Sequence, residues 1–446
     1  MDYSENNALL TKKLYALSEK DKDYWSFKGN SSRGYGHGLF QYPAMMVPQV
    51  VEAIIDKIVE VHPKMKTISD PFMGSGTVMT ESMIRGLSFS GTDINPLAIL
   101  LCQVKSGPFF INELKIKSIK LKEKIENDKD MNYEVSFTNQ KKWFNKSAMI
   151  SLSRIRRSIK AEKEMWARRF FWVALAETVR LSSNSRTSTF KLHKRTDKDI
   201  IERKNNLNVT KIFLDVLDYN ILEYTNLYDM LNNKKFIQDG IYIHDIKLNS
   251  ADTKELKFFN KVDFIITSPP YGDNATTVPY GQHSYLPLQW IDFSDIDSSL
   301  NKDILLETTN EIDYRSLGGK KKIANEEKKA IMQKSDFLNE YLSWLDEESK
   351  DKTNKVVAFF RDLDHCIKPI LQNLKPGGIL VWVLGNRRVG GKQVPLDKIL
   401  SDLFELHKVN VFCELSRKIH SKRMPLKNNT AETMSDEIIL FMRKDC

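Results

Sequence analysis

The chain has 446 residues, 41% of them hydrophobic and 10% aromatic, so it can bury a large core and exceeds one compact domain of ordinary size. Its 68 Lys and Arg against 58 Asp and Glu leave a net charge of +10, which favours a polyanionic partner but equally suits a solvated lysine surface. No apolar run approaches the roughly 20 residues of a membrane span, Met1 to Lys20 holds no signal core, and Cys102, Cys366, Cys413 and Cys446 stand singly. These features argue against a membrane segment, a secretory leader, a disulfide framework and a structural metal, and they point to a cytoplasmic protein.

Apolar residues recur at helical spacing from Val47 to His62, and Thr67-Ile68-Ser69-Asp70 reads as the end of a short buried strand. A glycine-rich turn follows, then a helix from Thr77 to Arg85 that Gly86 ends. Next come a strand from Phe89 to Asp93 and a helix begun by Ile94-Asn95-Pro96. Residues 103–238 are too long for a connection and read as a basic helical insertion. In it Arg154, Arg156, Arg157, Lys160, Arg168 and Arg169 are interleaved with Trp143, Trp166, Phe170, Phe171 and Trp172.

Strands resume at Ile241 to Asp245 and Val262 to Thr267, and residues 290–352 form a second, highly charged insertion that includes Lys320-Lys321-Lys322. A helix from Val356 to Leu374 is stopped by Lys375-Pro376-Gly377-Gly378. The strand Ile379 to Leu384 and a last pair, Val409 to Leu415 and Glu437 to Met442, complete the set. Strands alternating with helices predict an α/β fold with a mostly parallel, doubly wound sheet that binds ligands at the carboxyl ends of its strands.

Asp70-Pro71-Phe72-Met73-Gly74-Ser75-Gly76-Thr77 lies where the first strand turns into a helix, a place where glycines let the backbone approach a ligand. A second acid, Asp93, follows Gly74 by 19 residues at the next strand end, close to the spacing of a carboxylate that reaches ribose hydroxyls. No Gly-Lys-Ser/Thr follows and Met79 stands where a third glycine would be, which disfavours a P-loop and a dinucleotide site. A nucleoside without phosphates fits better. As pure structure, the glycines would only make a tight turn and Asp93 would cap the Asn95-Pro96 helix.

This stretch resembles the DNA amino-methyltransferases, whose glycine motif reads Asp-Pro-Phe-x-Gly-x-Gly-Thr and binds S-adenosylmethionine. The resemblance implies a Rossmann-like methyltransferase sheet carrying two largely helical insertions. It also implies roles: Asp70 for the methionine ammonium, Phe72, Gly74, Ser75 and Gly76 along the amino-acid portion, Asp93 for the ribose and Asp245 for the adenine amine, with Thr77 and Ile94 also in the cofactor site. Tyr35 and His37, in Tyr35-Gly36-His37-Gly38-Leu39-Phe40 ahead of Tyr42-Pro43, match the family's additional cofactor-contacting segment by position.

Thr267-Ser268-Pro269-Pro270-Tyr271 ends the strand that begins at Val262. The exocyclic amine of cytosine or adenine is a poor nucleophile because its lone pair is delocalised into the ring. Two acceptors aimed at its hydrogens favour a pyramidal nitrogen. Ser268 and the Pro269 carbonyl can supply them, Pro269 and Pro270 stiffen the backbone, and Tyr271 offers an aromatic face to an extrahelical base. No metal or covalent intermediate is required.

By the resemblance, Ser at the first position marks mostly N4-cytosine enzymes and Asp or Asn mostly N6-adenine enzymes. The expected activity is therefore cytosine-N4 methylation of double-stranded DNA within a restriction-modification or host-defence system, with a cognate restriction endonuclease as partner. An N6-adenine DNA methyltransferase is the alternative. An RNA base amino-methyltransferase and a non-catalytic nucleic-acid-binding subunit are the further ones.

The chain thus divides into a cofactor-binding segment (1–102), the first insertion (103–238), a catalytic-motif segment (239–289), the second insertion (290–352) and the rest of the catalytic domain (353–446). The DNA-recognition surface is expected in the first insertion, where the polar loop 181–195 presents Arg186, Lys191, Lys194 and Arg195 to phosphates.

Overall fold

The computed structural model describes residues 3–27, 34–256, 260–272, 278–320, 322–419 and 436–445; Lys321 and Cys446 lie outside the described residues. One seven-stranded sheet organises them: β1 (Thr67–Asp70), β2 (Ser88–Asp93), β3 (Ile246–Ser250), β4 (Val262–Thr267), β5 (Leu374–Gly385), β6 (Val409–Lys418) and β7 (Asp436–Lys444). Their spatial order is β6-β7-β5-β4-β1-β2-β3. The five strands β1 to β5 run parallel, and β7 is antiparallel to β5 and β6. This is the doubly wound, Rossmann-like sheet that the alternating strands and helices predict.

Side chains of a strand alternate between faces, and here both faces are buried. Phe264 and Ile266 of β4, Ile379, Val381 and Val383 of β5, and Ile439 and Phe441 of β7 enter one apolar core. Val262 and Ile265, Leu380, Trp382 and Leu384, and Leu440 and Met442 enter the other. The near-continuous apolar runs of these strands follow from that double covering.

Helices supply both layers. Pro48–Val61, Thr77–Ile84 and Pro96–Lys105 cover the first face, and Asp336–Glu348, Lys350–Gln372 and Leu396–Glu405 cover the second. The stretch 103–238 is helical, with Ile111–Asn127, Lys146–Lys160, Met165–Ser182 and Val209–Asn233 as its long elements. Phe171, Trp172 and Leu175 in it are fully buried in the same core as Phe89 and Phe264 of the sheet, so it extends the first layer. Among the described residues no helix is long and apolar enough to cross a membrane.

The strand expected at Ile241 to Asp245 is displaced. Ile241–Tyr242 pairs only with Ile237–Gln238 in a small hairpin, and the sheet strand begins at Ile246. β3 is the edge strand, half-exposed and polar, so it carries no apolar run to betray it.

Successive crossovers carry the chain outward from β1 to β2 and β3, then back across β1 to β4 and β5. The reversal falls between β1 and β4, whose carboxyl ends lie side by side. Open α/β sheets bind ligands at such a switch point. Both sequence motifs emerge there.

Candidate active site

The glycine turn is held from several sides. Both oxygens of the Asp93 carboxylate accept backbone N–H groups, from Gly74 at 2.9 Å and Asn95 at 2.8 Å. The Lys105 ammonium, buried beneath, donates to the Ser75 carbonyl at 2.7 Å, and the Gly76 N–H donates to Met73 O at 2.8 Å. Gly76 has φ +78°, and a Cβ there would lie 2.7 Å from Cys102 Sγ; only glycine fits. Asn95 caps the helix Pro96–Lys105 through Leu97 N–H, while its amide donates to Tyr42 Oη and Ser284 Oγ. That one side chain ties together the end of β2, the segment before the helix Pro48–Val61 and the helix Tyr280–Trp290.

Asp70 is fully buried under the turn. One carboxylate oxygen accepts from Phe72 N–H at 2.9 Å and from the Thr267 hydroxyl at 2.6 Å, and the other, Oδ2, has no partner among the described residues. Burial pushes its pKa up to about 7, against the pull of those two hydrogen bonds. Burial likewise raises Asp93 to about 6, opposed by the backbone N–H groups it accepts.

Thr267 is the last residue of β4, so its bond to Asp70 couples the glycine turn to the Ser268–Tyr271 turn. Ser268 Oγ lies 2.9 Å from Tyr271 Oη, which donates to Glu437 Oε1 at 3.2 Å. Between the turns opens a cleft. Pro71, Phe72, Met73, Gly74, Ser75 and Thr77 line one wall, Asp93, Ile94 and Asn95 the next, and Ser268 and Pro270 the wall opposite. Tyr42 to Met46, Thr253, Tyr280, Ile312 and Ser316 close it. The Tyr42 and Tyr280 rings approach with centroids 5.8 Å apart.

A family model described as D12 class N6 adenine-specific DNA methyltransferase matches residues 52–277, just over half of the chain. The Type II methyltransferase M.MvaI of Kocuria varians is 32% identical over 467 aligned positions, which take in 99% of each chain. The chain belongs to the DNA amino-methyltransferases. This methyltransferase is also similar to the Type II methyltransferase M.MjaII of Methanocaldococcus jannaschii, 37% identical over 79 residues, 18% of this chain and 14% of that one. Among solved structures, the rRNA methyltransferase aviRa from Streptomyces viridochromogenes superposes with a TM-score of 0.30 at 9% identity, covering 90% of this chain and 86% of that one.

The cleft of this methyltransferase gathers Phe72, Gly74, Ser75, Thr77, Asp93, Ile94, Ser268 and Pro270, with Gly76 in the turn itself and Asp70 buried under it. The structure places four of the expected site residues outside its lining. Asp245 precedes β3, whose Ile246 pairs with Phe89 and whose Ser250 pairs with Asp93. It therefore sits at the opposite end of the sheet, about 16 Å along the strand from the level of Asp93. The acid beyond the carboxyl end is Asp252, beside Thr253, whose hydroxyl donates to Pro71 O at 2.6 Å.

Tyr35 is exposed and away from the cleft. His37 is buried with Nε2 3.0 Å from Glu81 Oε1, and it lines an adjoining groove. The segment that does reach the cleft is Tyr42 to Met46, which offers no polar signature apart from Tyr42 itself. Lastly, the Tyr271 hydroxyl turns to Glu437, and the rings lining the cleft are those of Tyr42, Phe72 and Tyr280.

The arginines of the first insertion are mostly engaged in structure. Arg156 donates to Glu134 and to Trp290 O, Arg157 to Asp128, Arg168 and Arg169 to Asp295, and Arg180 to Glu177. The stretch 181–195, whose first two residues end the helix Met165–Ser182, differs. It rests on the helix that follows the Ser268 turn, with Phe190 edge-on to His283 at 5.4 Å and Leu192 N–H donating to Gln282 Oε1. Arg186 and Lys194 are exposed, while Lys191 and Arg195 are half-buried. Lys194 pairs with Asp197, and Arg195 reaches Thr187 Oγ1.

Asp70 keeps its proton to higher pH in the folded protein, with a pKa of about 7 against an ordinary 3.8. The folded state then binds the extra proton, so stability is greatest below about pH 4 for this group and falls as pH rises toward about 7. Asp70→Asn should flatten the dependence of the melting temperature on pH between about 5 and 7.5. Thermal melts of the two proteins with the same slope across that window contradict this reading of Asp70.

Proposed function

We propose that the protein transfers a methyl group from S-adenosylmethionine to the exocyclic N4 amine of cytosine in duplex DNA. The observation that carries this reading is the single cleft in which Ser268 and Pro270 face the glycine turn and Asp93. The cofactor supplies an electrophilic methyl group on a sulfonium.

The residues present fit such a group. Asp70 holds an unpartnered carboxylate oxygen beneath the turn, suited to an ammonium. Asp93 has lone pairs left for ribose hydroxyls beyond those that accept backbone N–H groups. Gly74, at φ +49°, brings bare backbone to the wall with only the Tyr42 ring nearby. Ile94 and Asp252 border a further opening at the carboxyl end of β3, and they suit the adenine in place of Asp245.

Across the cleft, Ser268 Oγ accepts one amine hydrogen and the Pro269 carbonyl the other. That draws the nitrogen lone pair out of conjugation as the methyl group arrives. The serine at this position supports cytosine N4. The description of the matched family model supports adenine N6, an amine that the same two acceptors would also serve. Digestion of duplex DNA treated with the protein and isotopically labelled S-adenosylmethionine, followed by nucleoside mass spectrometry, separates them. N4-methylcytosine is expected, and Ser268→Ala should cut its formation on the order of 100-fold while cofactor affinity holds. N6-methyladenine as the sole product overturns the choice of base, and an unlabelled digest overturns the reaction.

The same proposal places DNA along the loop 181–195, which lies against the helix leaving the catalytic turn and presents Arg186, Lys191, Lys194 and Arg195. Alanine at all four should weaken duplex binding and reduce the slope of log affinity against log salt by about 0.9 for each phosphate no longer neutralised. Parental affinity and slope in the quadruple variant move the DNA surface elsewhere.

A further inference from the structure

We infer that Glu437 is a positioning residue of the methyl-transfer site, acting through Tyr271 to orient the Ser268 hydroxyl and to receive the proton that the amine releases. The inference rests on the reading of Ser268 as the acceptor of an amine N–H.

Glu437 is the second residue of β7, paired in register with Gly385 at the end of β5 and with Arg417 on β6. Because β7 runs antiparallel to the central strands, it starts where they end, and this brings a carboxylate to the catalytic edge. Arg417 is buried, 7% exposed, and donates to Glu437 Oε2 at 2.6 Å. Glu437 Oε1 accepts the Tyr271 phenol proton at 3.2 Å.

A phenol has one proton to give. With that proton committed to Glu437, the 2.9 Å contact between Tyr271 Oη and Ser268 Oγ can only be a bond in which Ser268 donates. Ser268 is thereby left with lone pairs facing the cleft, the polarity needed to accept from an amine. Without the carboxylate, Tyr271 could donate to Ser268 instead, and the serine proton would be free to point at the amine hydrogens. An ion pair serving only to fasten β6 to β7 would need no phenol and would impose no direction on the serine.

The proton balance closes within this chain of groups. As the N–C bond forms, the C–S bond of the donor breaks with its electron pair going to sulfur, and the nitrogen must lose one proton. Ser268 Oγ takes it while passing its own to Tyr271 Oη, and Tyr271 passes its own to the Glu437 carboxylate. No oxidant, reductant or metal enters.

Glu437 must be ionised to receive that proton. The groups that face it are Arg417 on β6 and Tyr271, which has Tyr280 behind it, and its chain neighbour Asp436 is paired in register with Lys418. Burial raises the Glu437 pKa, while Arg417 and Tyr271 pull it down. Turnover should therefore fall as pH drops through the titration of this carboxyl.

The test is kinetic, on duplex DNA that the parent protein methylates. Glu437→Gln should lower kcat by roughly 10- to 100-fold, leave KM for DNA and cofactor affinity within about twofold, and remove the acidic limb of the kcat–pH profile. Glu437→Asp should restore that limb with part of the rate. Tyr271→Phe breaks the relay one step earlier, so the double variant Tyr271→Phe/Glu437→Gln should be no slower than the slower single. Where Glu437→Gln fails to fold, loss of the acidic limb in Tyr271→Phe decides. An unaltered kcat and pH profile in Glu437→Gln, or a slowed variant that keeps the limb and adds fully to Tyr271→Phe, overturns the inference and leaves the methyltransferase reading standing. A parent protein that transfers no methyl group to DNA overturns both.

Discussion

The hydrogen bond from the Thr267 hydroxyl to the Asp70 carboxylate, 2.6 Å long and sealed from water, holds together the two ends of the chain's chemistry. Thr267 ends β4 and Asp70 ends β1, adjacent strands at the point where the winding of the sheet reverses. A hydrogen bond of this kind contributes about 1 kcal/mol, and up to about 3 kcal/mol when the carboxylate is ionised. Its larger effect is geometric, because it fixes the spacing between the glycine turn and the Ser268 turn on opposite walls of one cleft. The groups that would meet a methyl donor and those that would meet its acceptor are set by the same pair of strands.

The rest of the fold serves to make that seam rigid. Apolar side chains of β4, β5 and β7 alternate between two cores, so the central strands are clamped from both faces. The glycine turn, which lacks side chains of its own at its sharpest points, borrows its shape from Asp93 above and Lys105 below. The helices of 103–238 bury Phe171 and Trp172 against the same layer. An insertion packed this deeply carries its loop 181–195 in a fixed relation to the catalytic turn, where a flexibly tethered module would not.

Much of this was legible in the sequence because the relevant signals are local. The strand ending at Thr267 is a short apolar run closed by polar residues, those ending at Asp70 and Asp93 are short β-prone stretches closed by an acid, and the glycine turn and the Ser-Pro-Pro-Tyr turn sit directly on the first and last of them. What the sequence hid depends on partners far along the chain. Asp245 looked like a strand end because Ile241 to Ile243 is apolar, yet those residues form a hairpin while the polar edge strand β3 starts after it. His37 looked like a polar group in a glycine loop, and its partner is Glu81 in the helix Thr77–Ile84. Met45 and Met46 reach the cleft without any chemical signature, and the bond between Tyr271 and Glu437 spans 166 positions. Counting from a correctly placed β3 would have pointed to Asp252, two residues past the strand as Asp93 is at the end of its own.

The central claim is that the wall formed by the glycine turn and Asp93 holds the methyl donor facing Ser268. A crystal structure of the protein with S-adenosylhomocysteine, the demethylated product, measures this directly. The account predicts ribose hydroxyls on the Asp93 carboxylate, the amino-acid portion over Phe72 to Gly74, and the sulfur turned across the cleft toward Ser268. A ligand seated instead in the groove beside His37 and Asn220, or at the amino end of β3 near Asp245, would contradict it.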